Sequence, residues 1–90
     1  MRRLIFSARA RQDLLSIREQ IARDRPVAAV RMIERLAGAC ERLTDFPDVG
    51  RAGLVSGTRE LVTVQPYIVV YTVSENAVEI LHVAHAAQDR

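Results

Sequence analysis

The sequence predicts an α+β domain in which an N-terminal strand leads into an antiparallel two-helix hairpin, packed on a C-terminal three-stranded antiparallel β-meander. Apolar residues recur at helical spacing in the first half of the chain, whereas β-branched residues dominate the last third. The breaks between these segments are short, which favours antiparallel neighbours. A chain of 90 residues has room for one core, so residues 1–90 are expected to form a single domain.

The first half of the chain predicts one strand and two helices. Residues 3–7 form a short extended start, and Ser7 can cap the helix that follows. This helix carries one apolar stripe, made of Ala10, Leu14, Ile17 and Ile21. Pro26 ends it and suits the first turn of a second helix, which Pro47 and Gly50 stop. The buried stripe of the second helix is expected to contain Val30, Ile33, Ala37, Cys40 and Leu43, with Leu36 beside it.

The second half of the chain predicts three strands joined by short turns. Residues 48–57 form a loop with several turn-forming residues. Strands are expected at residues 59–64, 67–73 and 77–84, with turns at 65–66 and 74–76. The middle strand is apolar on both faces, so it should lie in the centre of the sheet.

Composition predicts a cytoplasmic protein that does not enter a membrane. The longest apolar run covers residues 67–71, far short of the ~20 residues that span a bilayer. The N-terminus lacks the apolar region of an export signal, and the single Cys40 cannot form an internal disulfide. All 13 basic residues are arginine, but 11 acidic residues nearly balance them, so no sequence-specific DNA binding is expected.

Neither a metal site nor a cofactor site is expected. Cys40, His82 and His85 are the only soft ligands, and the two histidines are three apart on a strand, which directs them to opposite faces. Cys40 lies on an apolar helix stripe, where a thiol is inert. The glycine-containing loops lack the Lys-Ser/Thr ending of a phosphate loop.

The remaining candidates for chemistry are arginines, tyrosines and histidines of the second half: Arg51, Arg59, Tyr67, Tyr71, His82 and His85. Metal-free cleavage of RNA needs a base, an acid and cations that hold the phosphate, and these side chains can supply them. The same residues can instead be structural, as strand edges, partly buried polar groups and partners of nearby acids.

Six consecutive segments carry a family resemblance: SARARQDLLSI at 7–17, PVAA at 26–29, FPDVGR at 46–51, GTREL at 57–61, YIVVYTV at 67–73 and VEILHVAH at 78–85. In this order they resemble the RelE/ParE superfamily, the toxins of type II toxin–antitoxin systems. The family fold is a two-helix hairpin on an antiparallel sheet, in agreement with the elements above.

The resemblance favours the ParE-like branch, whose members inhibit DNA gyrase without being enzymes. RelE-like members cut messenger RNA on the ribosome, and they usually place an arginine in an Arg-Leu-Val-Tyr pattern where this chain has Ile68. Their lysine-rich phosphate-binding cluster has no counterpart, because the chain has no lysine. The ending from Ala84 resembles the His-Gly-x-x-Asp ending of ParE-like and plasmid-stabilisation proteins, with His85 kept and Ala86 in place of glycine.

The resemblance also implies partners and leaves two alternatives open. A cognate ParD-like antitoxin is expected to prevent growth arrest by binding the helical face of Leu14, Arg18 and Ile21, in a heterotetramer or larger complex. The expected contacts to the target or partner are Arg51, Arg59, Tyr67, His82, His85 and Arg90. One alternative is a ribosome-dependent, metal-independent mRNA endonuclease that uses Arg59, Tyr71 and His85. The other is a degenerate, non-toxic member that still binds the antitoxin.

Overall fold

The computed structural model describes residues 2–87, in which two helices pack on a mixed five-stranded sheet. The elements in chain order are β1 Arg3–Phe6, α1 Ala8–Ala22, α2 Pro26–Arg42, β2 Arg51–Ala52, β3 Arg59–Leu61, β4 Tyr67–Val73 and β5 Ala77–His85. In the sheet the strands follow the order β1-β5-β4-β3-β2. The predicted α+β hairpin-on-sheet architecture is therefore confirmed. Within the described residues, neither helix is long and apolar enough to cross a membrane.

The helical hairpin begins and turns where the sequence predicts. The Ser7 side chain accepts the Ala10 N–H at 3.0 Å and caps α1, and Pro26 is placed in the first turn of α2. The helix α2 ends at Arg42 rather than at Pro47, because its last turn tightens. In this turn the Thr44 N–H donates to the Glu41 carbonyl at 3.1 Å.

The buried face of α2 differs from the predicted one. The residues that face the core are Ala29, Leu36, Ala39 and Cys40, followed by Leu43 just after the helix. Val30 is 55% exposed, so the prediction was wrong for this residue, whereas Ile33 packs against the core and Ala37 is partly buried. Both sets of residues recur at helical spacing, and periodicity alone cannot choose between two neighbouring apolar stripes.

The sheet contains the predicted meander and two additions. β3, β4 and β5 pair antiparallel in sequence, and β1 pairs parallel to β5. The two-residue β2 lies inside the predicted loop and pairs with β3, while β3 ends at Leu61, earlier than expected. The pairs Val70–His82 and Tyr71–Ile80 leave Leu81 as an extra residue in β5, which marks a β-bulge.

The core lies between the helices and the sheet. Its largest fully buried side chains are Tyr71, Leu36, Leu43, Ile80, Val69, Val78 and Cys40. Burial raises the pKa of the Cys40 thiol to about 12, and the neighbouring Glu41 carboxylate adds to this effect. The thiol therefore stays protonated at neutral pH, in keeping with the predicted inert cysteine.

Candidate functional site

Tyr71 fixes the loop that follows α2 to the centre of the sheet. Its side chain is fully buried, and its hydroxyl donates to the Pro47 carbonyl at 2.8 Å and accepts the Gly50 N–H at 2.9 Å. Burial raises the pKa of Tyr71, so the phenol stays protonated. A Cβ at Gly50 would lie 2.5 Å from the same hydroxyl oxygen, which explains the glycine. The phenol therefore serves as a structural clamp.

Arg59 holds the same loop from β3. Its Nη1 donates to the Gly50 carbonyl at 2.8 Å and to the Asp48 carbonyl at 3.2 Å. Its Nη2 lies 3.5 Å from the Asp48 carboxylate. Loop backbone and a loop carboxylate thus engage both terminal nitrogens of this guanidinium.

Arg51 pairs with a buried carboxylate that the sequence did not single out. Glu60 is 3% exposed, and its Oε1 accepts Nε of Arg51 at 3.0 Å and Nη2 at 2.9 Å. The pairing of β2 with β3 sets these two residues opposite each other. A carboxylate buried to this extent needs such a partner, because desolvation of an unpaired charge is costly. The pairing of β2 with β3 places Arg51 where it can pair with this carboxylate.

A polar cavity of about 220 Å³ lies between α1 and β5. We call it the α1–β5 cavity. Its polar lining comes from α1 and from two strands: Arg9, Asp13, Ser16, Gln20, Tyr67, His82 and His85. His82 and His85 line it together, although their spacing predicted side chains on opposite faces of the strand.

His82 is held between two residues of α1. Its Nδ1 lies 2.7 Å from Oδ2 of Asp13, which also accepts the Val83 N–H at 2.9 Å. Its Nε2 lies 3.3 Å from Nη2 of Arg9. An ionised carboxylate only accepts and a guanidinium only donates, so these contacts assign the proton of the neutral ring to Nδ1.

His85 lies against Tyr67 at the end of β5. The two rings meet edge to face, with centroids 5.6 Å apart and planes at 82°. Nδ1 of His85 accepts the Ala87 N–H at 3.1 Å, which assigns the proton of the neutral ring to Nε2. Burial raises the pKa of Tyr67, so its hydroxyl also stays protonated.

The structure divides the predicted site residues into two groups. Arg59 lies opposite Tyr71 in the register, and His85 lies opposite Tyr67. Tyr67 and Tyr71 are four residues apart on β4, which corresponds to about 13 Å at 3.3 Å per residue. Arg90 lies outside the described residues.

Two further positions of the sequence analysis concern Ile68 and a possible metal site. Ile68 is 4% exposed and pairs with Ala84, so this position of β4 is closed by apolar packing. Within residues 2–87 no group of three histidine, cysteine, aspartate or glutamate side chains could hold a metal ion.

The helical hairpin carries an apolar groove of about 300 Å³ on its surface. We call it the hairpin groove; its lining residues are Arg11, Leu14, Leu15, Arg18 and Ile33. It contains Leu14 and Arg18 of the predicted antitoxin-binding face. Ile21, the third residue of that face, does not line the groove; like Leu14, it is partly buried against the core.

Exposed apolar side chains also occur along the segment between α2 and β3, part of which Tyr71 and Arg59 hold. Its large apolar side chains are 64–74% exposed: Phe46, Val49, Leu54 and Val55. We call this group the loop patch. The loop is also tied internally, since the Gly53 N–H donates to the Thr58 carbonyl at 2.8 Å.

Sequence reasoning missed the polar residues of α1. Arg9, Asp13, Ser16 and Gln20 follow one another at steps of four, three and four, which places them on one helix face. That polar stripe was visible in the sequence, but a solvated helix face gives the same pattern. The contact of Asp13 with His82 distinguishes this stripe from a solvated helix face. The sequence does not show this contact, because it joins residues that are 69 positions apart.

Comparison with known proteins gives consistent matches along the chain. The model of the family described as "ParE toxin of type II toxin-antitoxin system, parDE" matches residues 4–90. Toxin RelE2 of Caulobacter vibrioides is 39% identical over 88 residues, which cover 98% of this chain and 99% of the relative. The putative toxin Y4kP of Sinorhizobium fredii is 41% identical over 88 residues, covering 97% and 91%.

Solved structures also match nearly the whole chain. A chain of the chromosomal ParDE toxin–antitoxin system from P. aeruginosa superposes with a TM-score of 0.84 at 21% identity. The match covers 94% of this chain and 96% of the other. At this identity the likeness establishes the fold.

Proposed function

The chain belongs to the ParE toxin family of type II toxin–antitoxin systems, and from this membership we propose that it inhibits DNA gyrase and is neutralised by a ParD-like antitoxin. It acts by binding, without breaking covalent bonds. The observation that carries the proposal is the state of Tyr71. A proton donor or acceptor in RNA cleavage must reach the substrate within hydrogen-bond distance. This phenol is fully buried, and two backbone groups occupy its hydroxyl.

The positions of the other nuclease candidates support the same conclusion. Arg59 and His85 lie on strands either side of β4 and are four residues apart along it. This offset is about 13 Å along the strand, with a further ~10 Å across two strand spacings. Such a separation does not suit an acid or base and a phosphate-binding cation that act on one phosphodiester. Ile68, where RelE-like members usually carry arginine, adds no cation.

We place the target-contact surface on the loop patch and on the arginines beside it, Arg51 and Arg59. Exposed apolar clusters on small domains commonly mark protein-binding sites. This one lies on a loop that the buried Tyr71 and the partly exposed Arg59 hold by hydrogen bonds, so binding does not require the loop to be ordered first. An apolar centre with an arginine border is the usual composition of an energetically important interface region.

We place the antitoxin on the hairpin groove. The helix α2 also carries exposed apolar residues, Val27 at 64% and Val30 at 55%, and Val30 is one turn before the groove residue Ile33. Apolar surface of a helix that its own domain leaves exposed is suited to bind a partner protein. Arg11 and Arg18, seven residues apart on α1, border the groove and favour a partner segment with carboxylates. The P. aeruginosa match is titled as a ParDE system, which supports a ParD-like partner. A segment that folds on binding fits this role, in a heterotetramer or larger complex.

The proposal is tested by adding the purified full chain to a DNA gyrase supercoiling reaction. We expect inhibition together with accumulation of the cleaved gyrase–DNA complex, and an intact message when translated mRNA is mapped for breaks. Broken mRNA with unaffected gyrase would establish the nuclease alternative. Growth arrest on induction without the antitoxin excludes the non-toxic alternative.

The loop patch is tested by Leu54→Ser in the same supercoiling reaction. Leu54 is 74% exposed, so the substitution should barely change stability while weakening inhibition about tenfold, as expected for one apolar interface residue. Val27→Ser is the matched control, because Val27 is 64% exposed on α2 outside the patch. Equal inhibition by both variants would remove the loop patch from the target-contact surface.

A further inference from the structure

The α1–β5 cavity contains more hydrogen-bond donors than its internal contacts use. Arg9 has five N–H donors, and the contact with His82 uses one of them. Ser16 and Gln20 line the same cavity and have no hydrogen bond through their side chains to another described residue. The Arg9 guanidinium only donates, and the Ser16 hydroxyl and the Gln20 amide can donate beside it, so the cavity can serve a ligand that accepts several hydrogen bonds.

Tyr67 adds a neutral donor from the sheet. Its hydroxyl makes no hydrogen bond within residues 2–87, and no buried side-chain nitrogen or oxygen in this range lacks a partner. The hydroxyl is therefore open to solvent through the cavity that it lines. Since burial raises its pKa, it remains a donor at neutral pH.

His85 adds a donor of fixed direction. Its Nδ1 accepts the Ala87 N–H, so the neutral ring carries its proton on Nε2. The edge-to-face contact with Tyr67 sets the ring orientation. Side chains with available donors from α1, β4 and β5 thus line the same cavity.

Asp13 is the one acidic residue that lines the cavity, and its charge is already engaged. Its Oδ2 accepts both Nδ1–H of His82 and the Val83 N–H. The Arg9 guanidinium lies on the other side of the same imidazole and balances the carboxylate. Both contacts direct Asp13 toward β5.

We propose that the α1–β5 cavity binds one phosphate group, with Arg9 as the cation and with Tyr67 and His85 as further hydrogen-bond donors. A phosphate group has several oxygens that can accept from donors on three elements at once, and its hydrogen bonds to a guanidinium are charge-assisted. The cavity volume of about 220 Å³ leaves room for a phosphate group. The proposed function rests on the loop patch and the hairpin groove, and the phosphate titration measures neither gyrase inhibition nor antitoxin binding, so the two proposals can fail separately.

The test is a titration of the full chain with inorganic phosphate, followed by NMR of the Val83 amide and the His82 and His85 rings. We expect saturable shifts at these positions. Separate titrations use a 5′-nucleotide and a single-stranded oligonucleotide without a terminal phosphate. Tighter binding of the nucleotide identifies a phosphomonoester ligand, and tighter binding of the oligonucleotide that phosphate displaces identifies a nucleic-acid backbone.

Three variants make the test specific. Tyr67→Phe keeps the ring contact with His85 and removes only the hydroxyl, and Arg9→Gln removes the cation. Each should weaken phosphate binding about tenfold, as expected for a hydrogen bond to a charged group. Arg11→Gln is the control, because Arg11 donates to the Phe6 carbonyl and does not line the cavity. The absence of saturable shifts with all three ligands overturns the proposal, as does equal affinity of Tyr67→Phe, Arg9→Gln and the unchanged chain.

Discussion

Removing the Tyr71 hydroxyl tests whether this residue is a structural clamp. The substitution Tyr71→Phe keeps the ring in the core, where the side chain is fully buried, and deletes only the oxygen. Two backbone partners lose their hydrogen bond: the N–H of the buried Gly50 at 2.9 Å and the Pro47 carbonyl at 2.8 Å. Neither group has another hydrogen-bond partner among the described residues.

The magnitude follows from the two orphaned groups. A buried donor or acceptor left without a partner costs about 1–3 kcal/mol. Gly50 is buried and Pro47 is partly buried, so we expect a loss of about 2–3 kcal/mol in the free energy of unfolding. A domain of this size has about 5–15 kcal/mol in total, and the loss is therefore a large fraction of it.

Urea unfolding of the full chain, followed by circular dichroism, measures this loss. With a slope of about 1–1.5 kcal/mol per molar urea, the midpoint should fall by about 2 M. Tyr67→Phe is the control, since that hydroxyl is open to solvent, and its effect should stay below about 0.5 kcal/mol. Equal stability of the two variants would refute the clamp. A fully stable Tyr71→Phe that loses all toxicity would instead point to a chemical role for the phenol.

Three further predictions follow from the groove, the central strand and the core. Arg18→Glu should weaken antitoxin binding at least about tenfold in calorimetry, since it sets a carboxylate against the acidic partner, whereas Arg3→Glu, on β1, should not. Ile68→Arg should lower the free energy of unfolding by about 3–5 kcal/mol, because it buries a cation at a position that is 4% exposed. An equal loss in the control Ile68→Val would contradict this reasoning. The raised pKa of Cys40 means that the folded state holds its proton more tightly than the unfolded state. The contribution of the thiol to stability is therefore constant below pH 9.0 and is lost progressively as the pH rises from there to about 12. In Cys40→Ala, the free energy of unfolding should depend less on pH in this alkaline range.

The fold was predictable where local sequence decides it. Ser7 and Pro26 mark the starts of the two helices by their own backbone chemistry, and the apolar run at 67–73 marks the central strand. The core face of α2 was not predictable, because its two apolar stripes differ only in what packs on them. β2 was not predictable either, since its two residues are held by the contact of Arg51 with Glu60, which local propensity does not contain.

The candidate site was predictable as a set of residue types but not as an arrangement. An arginine or tyrosine side chain can hydrogen-bond either to the backbone of a loop or to a ligand. The sequence does not show which, because buried loop backbone groups need hydrogen-bond partners as well. The useful distinction is whether the functional atom is left without a backbone partner. The hydroxyl of Tyr67 and Nε2 of His85 meet this condition, whereas the hydroxyl of Tyr71 is taken up by Pro47 and Gly50. Since that difference depends on where a distant loop is placed, two tyrosines four residues apart on one strand acquire opposite roles.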